Sequence, residues 1–195
     1  MKTLTTIALT LVVLGTGGLL FIYSGAYNMG ADAPHWPLTH KMITTLRDRS
    51  ITTASADLQP PDLGDSASIL KGAGQYAAMC TGCHLAPGMK QSEIRPGLYP
   101  LPPNLAKVRI DPKVAFWAIK HGIKMSAMPA WGISHDDATI WSMVAFLQKL
   151  PSLDAAQYKD LVAKAPPDDD MDMGTTSEHS SHTQTEREAP GIAPK

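Results

Sequence analysis

Two cysteines and a histidine stand together in the run Cys80-Thr81-Gly82-Cys83-His84, and their spacing carries a specific chemistry. Two thiols three positions apart can each add to one of a haem's two vinyl groups, forming two thioether bonds. The histidine directly after the second cysteine then lies under the iron and supplies an axial nitrogen. These are the only 2 cysteines in 195 residues, so none is left for a disulfide. A redox dithiol of the thioredoxin kind needs a βαβ pattern around it, and none is visible. A structural zinc site needs four ligands, and no second Cys or His pair sits at matching spacing. The run is read as the attachment site of one covalent haem c, with Cys80, Cys83 and His84 as its residues.

The chain around the motif has room for one modest domain plus attachments. Its 16 prolines and 15 glycines predict short helices joined by irregular loops. A formal net charge of -1 hides an asymmetry. Residues 60–165 carry an excess of Lys and Arg, whereas residues 166–195 are strongly acidic. No dense basic patch is present, which argues against a nucleic-acid binder.

The N-terminus addresses the chain. Lys2 precedes an apolar run from Leu4 to Tyr23, and about 20 such residues cross a bilayer as a helix. Residues 1–23 are therefore read as a transmembrane anchor, with the N-terminus inside and the rest outside. The alternative is a signal peptide cleaved after Ser24-Gly25-Ala26. Trp36 follows where an interfacial aromatic suits an anchor.

Residues 24–64 read as a juxtamembrane head and linker. Leu38, Met42 and Leu46 recur every four residues with Ile43 beside them, predicting a helix from Leu38 to about Ser50, ended by Arg47-Asp48-Arg49. That helix either lies on the membrane or packs on the domain that follows. Residues 51–64, with Pro60-Pro61, read as the linker.

The compact domain is expected over residues 65–153. Its first helix starts near Ser66 and runs into the motif. Residues 85–110, rich in proline and glycine, predict a long loop, a length that usually marks function. Asp111-Pro112 opens a second helix that ends at Gly122. Another loop precedes a last helix that starts near Ser134–Asp136 and is stopped by Pro151 after Lys149. Residues 154–195 predict a short helix and then a disordered acidic tail.

With these elements in place, the segment 65–153 resembles a class I, mono-haem cytochrome c of the membrane-anchored bacterial type. Gly72, Tyr76 and the Cys80–His84 run sit as in that family's first helix. The resemblance implies an all-α fold of short helices wrapped around one haem, here preceded by the transmembrane helix. It implies a close crossing of the first and last helices over a small residue, with Gly72 or Gly74 against Trp141. It also implies a methionine as sixth iron ligand in the loop before the last helix, where Met128-Pro129-Ala130-Trp131-Gly132 stands. A thioether stabilises ferrous iron and raises the reduction potential. Met125 competes for this role, and His121 is a further alternative.

Around that centre, His84 is expected to donate its second ring nitrogen to a carbonyl, with Pro87 and Pro96 as candidates. Tyr99, Trp117 and Trp131 either pack around the haem or fill ordinary core positions. Arg95, Lys107 and Arg109 either pair with haem propionates or are solvated surface charges. His35 and His40 matter only if the head folds over the haem. In the tail, Asp168–Asp170, Met171, Asp172, Met173, His179 and His182 could bind copper weakly, or form a plain solvated tail.

The expected function is electron transfer outside the bacterial cytoplasmic membrane, on the periplasmic or outer side, between redox protein partners, with no catalysis of its own. Two alternatives stand beside it. One is a haem-bearing electron-entry subunit of a membrane-bound dehydrogenase or oxidase. The other is a haem enzyme or gas sensor with an open iron position.

Overall fold

Aspartate caps start the helices of the compact domain. The Asp65, Asp111 and Asp136 carboxylates accept backbone N–H bonds from the first turns that follow them, satisfying donors with no partner inside the helix. The computed structural model describes residues 2–167. Seven α-helices follow in order: α1 Lys2–Tyr23, α2 Pro37–Ser55, α3 Ser66–Met79, α4 Thr81–His84, α5 Pro112–His121, α6 Asp137–Lys149 and α7 Ala155–Ala163. Among the described residues there is no strand, as the all-α expectation requires. The tail residues from Asp168 onward, with their proposed copper ligands, lie outside the described residues.

Helix α1 has 22 residues, none of them buried. At about 1.5 Å per residue it matches a hydrocarbon layer of about 30 Å, and it is compatible with a membrane anchor. Trp36 packs on its last turn through Phe21, with ring centroids 5.9 Å apart, and on Tyr27 at 5.0 Å. The head thus turns back onto the end of the apolar helix.

The core sits where α3 crosses α6. Tyr76 and Phe146 face each other at 5.5 Å between centroids, surrounded by the buried Ile140, Met143 and Val144. The small residue at this crossing is Gly72. A β-carbon there would overlap the Ser142 carbonyl oxygen and come within 2.9 Å of the Phe146 β-carbon. Trp141 is not the partner. It points the other way and stacks on Phe116 of α5 at 4.1 Å. Phe146, one turn beyond Ser142, takes the place expected for it. Helix α7 adds Tyr158 to the same core, so the packed unit continues past Leu153.

The head helix also departs from expectation. The charged triplet Arg47-Asp48-Arg49 does not end α2, which continues to Ser55. Tertiary packing holds the extra turns, because Ile51 and Ser55 are buried against the domain. Lys113 Nζ, at the start of α5, donates to the Ala56 carbonyl at 2.9 Å and fixes the end. Leu38, Met42 and Leu46 stay exposed, so the predicted apolar row is not the packed one.

Candidate haem site

Helix α3 ends at Met79, and Cys80 caps both its end and the start of α4, so the motif lies on a helical bend. His84 N–H donates to the Cys80 carbonyl at 2.8 Å. Leu85 then turns out of the helix with φ 61, and its carbonyl accepts from the Tyr76 hydroxyl at 2.5 Å. Both groups are almost fully buried. Tyr76 therefore ties the exit of the motif to the helix that enters it. Removing the hydroxyl strands a buried carbonyl, which costs about 1–3 kcal/mol. The variant Tyr76→Phe is accordingly expected to lower the unfolding free energy by that amount, read as an earlier transition by far-ultraviolet circular dichroism, with the visible spectrum unchanged.

Cys80, Cys83, His84 and Met128 all line one cleft of about 250 Å³. A single water needs roughly 10–15 Å³, so this space has room for a ligand of many atoms. Its walls are otherwise almost wholly apolar, with Ile51, Leu105, Ile119 and Trp131 among them. Among the described residues, no Asp or Glu lines it, and no cluster of three His, Cys, Asp or Glu side chains is placed to hold a metal ion directly. A bare metal site is a poor match. Two thiols, an imidazole and a thioether around a greasy cleft fit a haem: sulfur to bond its edge, nitrogen and sulfur for iron, and apolar walls for the macrocycle.

The electrostatics agree. Burial, with Cys83 nearby, pushes the Cys80 thiol up to about 12. A redox dithiol needs the reverse, a thiol made more acidic than usual. For His84, burial lowers the pKa and the neighbouring Arg95 lowers it further, while the bond to Pro103 opposes them. A neutral imidazole is the form that can bind iron.

The carbonyl that orients His84 belongs to Pro103, at 2.9 Å from Nδ1. Neither Pro87 nor Pro96 supplies it. A carbonyl can only accept, so Nδ1 carries the proton and Nε2 is left as the electron-pair donor. The Leu105 N–H donates back to the His84 carbonyl at 3.1 Å, and Asn104 braces the turn by accepting from the Ala106 N–H. Pro103 and Leu105 are functional positions that sequence reasoning missed. The rigid Pro102-Pro103 step before an Asn turn is the signal that could have found them.

Met128 is held by the end of α5. Gly122 has φ 65, and any β-carbon there would meet the backbone of Met128, Pro129 and Ala130 at 2.7–2.8 Å. The Ile123 N–H donates to the Met128 carbonyl at 3.1 Å. Ser126 Oγ donates to the Ile123 carbonyl and accepts from the Met128 N–H. Met125, three residues earlier, is 82% exposed and lies outside the cleft lining. His121 is exposed too, its ring against Trp117.

The other candidates separate in the same way. Trp131 lines the cleft, whereas Tyr99, Trp117, Lys107 and Arg109 do not. Tyr99 serves the head. Its hydroxyl accepts from the His35 N–H at 3.2 Å and lies 3.4 Å from His40 Nδ1. Arg95 stands behind the lining, donating from Nη2 to the Pro102 carbonyl, with its buried Nε lacking a partner among the described residues.

Residues 67–147 match a protein-family model described as cytochrome C oxidase, cbb3-type, subunit III. The match spans the motif, the Met128 loop and most of α6, and leaves α1 and α2 outside. No curated protein and no solved structure matches the chain.

Proposed function

We propose that this chain, which contains a c-type cytochrome domain with covalently bound haem c, is a membrane-tethered carrier of single electrons with His/Met-ligated iron. Cys80 and Cys83 would bond the haem, His84 and Met128 would supply its iron ligands, and α1 would keep the domain at the membrane, on the periplasmic or outer side. The observation that carries this reading is the convergence of all four side chains on one apolar cleft.

The haem supplies the one-electron chemistry when bound. The residues of this chain set its conditions. The Pro103 carbonyl fixes the His84 tautomer and increases its basicity. The Gly122–Met128 contacts present the thioether. The apolar walls exclude water, which together with the methionine favours the ferrous form. With His84 and Met128 both holding the iron, no site would remain there for a substrate, and the chain would pass electrons without catalysing a reaction of its own.

The test is a potentiometric titration of the purified full chain. A reversible one-electron curve without peroxide-dependent turnover is expected, and substantial peroxidase activity would count against a carrier. Met125→Leu is expected to leave the spectrum and the potential unchanged. Loss of the low-spin spectrum in that variant would transfer the ligand role to Met125.

A second reading is favoured by the description of the matched family: an electron-entry subunit within a membrane oxidase or dehydrogenase. Mild solubilisation separates the two. A free carrier purifies alone, and a subunit purifies with a large partner.

A further inference from the structure

Helix α2 lies outside the matched segment, yet it forms part of the cleft. Arg47 and Ile51 both line it. They are four residues apart and so share one face of the helix. Ser55, one turn further on, is buried on that same face. Three contacts hold the head in place: Ile51 in the cleft wall, Lys113 on the Ala56 carbonyl, and Tyr99 between His35 and His40.

Arg47 is the one fixed cation among the lining residues, and no carboxylate of the protein accompanies it there. Its Nε and Nη2 both approach Asp48 Oδ1, at 2.8 and 2.7 Å. That pairing uses one edge of the guanidinium. The group carries five N–H donors in a planar fork, so about three remain for a second anion. The side chain is 33% exposed, which places it at the edge of the cleft and not on open surface. A haem brings two carboxylates, and burying either without a cation is costly. Arg95 is less suited by position, since it does not line the cleft; its Nη2 bond to Pro102 leaves its other donors free among the described residues.

We infer that Arg47 is a haem-binding residue, its guanidinium pairing with a haem propionate while α2 covers that edge of the cofactor. The head helix is thus a wall of the redox centre and not a spacer between anchor and domain. This inference rests on haem occupying the cleft and is independent of whether Met128 is the sixth ligand.

The experiment uses the full chain with its covalent haem, verified first by the pyridine haemochrome spectrum. Arg47→Gln and Arg47→Lys are compared with the parent by spectroelectrochemical titration and by resonance Raman of the propionate bending mode. Removing a cation leaves the propionate charge uncompensated and favours ferric iron. Arg47→Gln is expected to shift the ferric/ferrous ratio about three- to tenfold toward ferric, tenfold being about 59 mV for one electron. It is also expected to move the propionate mode. Arg47→Lys restores most of the potential, because it keeps the charge. An unchanged potential in Arg47→Gln overturns the inference. So does a shifted potential with an unmoved propionate mode, which would mean charge acting at a distance without contact. A parent chain with no covalent haem would instead overturn the cytochrome reading itself.

Discussion

Replacing Met128 with alanine is expected to convert a low-spin haem into a high-spin one that binds carbon monoxide, with a large fall in reduction potential. A thioether is a soft ligand that favours ferrous iron, and on the proposed ligation by Met128 alanine would leave the iron one ligand short. Neither of the two other candidate ligands lies in the cleft lining. Met125 is exposed at the far end of the 123–128 turn, and His121 packs on Trp117. The loop itself should survive, because the Ile123 N–H bond and the Ser126 bonds that shape it involve only the backbone of residue 128. Absorption spectra with and without carbon monoxide check this. A variant that stays low-spin and indifferent to carbon monoxide would show that another residue holds the iron.

The largest stability effect is expected at Gly72. On helix propensity alone, alanine would stabilise α3 by about 1 kcal/mol. The crossing reverses that sign. The new β-carbon lands on the Ser142 carbonyl, 2.6 Å from its carbon and 2.9 Å from the Phe146 β-carbon. The obstacles are backbone and the root of a side chain, so neither can swing aside. Helices α3 and α6 must separate, in a core where such overpacking costs typically about 1–3 kcal/mol and sometimes more. Gly72→Ala is expected to destabilise the haem domain by about 2–3 kcal/mol net, seen as a lower denaturation midpoint. Gly74→Ala is the control. Its β-carbon would meet the Ala165 methyl at 3.0 Å and the Pro166 carbonyl oxygen at 3.9 Å, in the chain just past α7, so its effect should be small. Equal effects at the two glycines would mean that the crossing is not as close as described.

This contrast shows which parts of the molecule could be read from sequence. Short-range signals were legible. Asp65, Asp111-Pro112 and Asp136 cap helices whose starts depend only on neighbouring residues, and the Cys80–His84 run states its chemistry in five positions. Met128, singled out by the resemblance of its loop to the family's ligand loop, lies in the lining of the cleft. Long-range geometry was not legible. The acceptor for His84 comes from Pro103, 19 residues away, and no local pattern distinguishes it from Pro87 or Pro96. Which glycine lies at the crossing depends on how α3 is rotated against α6, and the two candidates are only two residues apart. The head helix was misjudged for the same reason. Its charged triplet looks like an end in isolation, but burial of Ile51 and Ser55 against the domain carries it onward.

The head also changes how the tether is understood. Trp36 packs on the last turn of α1, and Ile51 near the other end of α2 enters the cleft wall, so the head contacts both the apolar helix and the domain. The central claim remains the ligation of the iron. Its most direct test is the absorption spectrum of the pure full chain, oxidised and reduced, with and without carbon monoxide. A low-spin spectrum with the weak red methionine–iron band, unchanged by carbon monoxide, is the predicted result. A high-spin spectrum or rapid carbon monoxide binding would contradict it, and would point to an open iron site suited to an enzyme or a gas sensor.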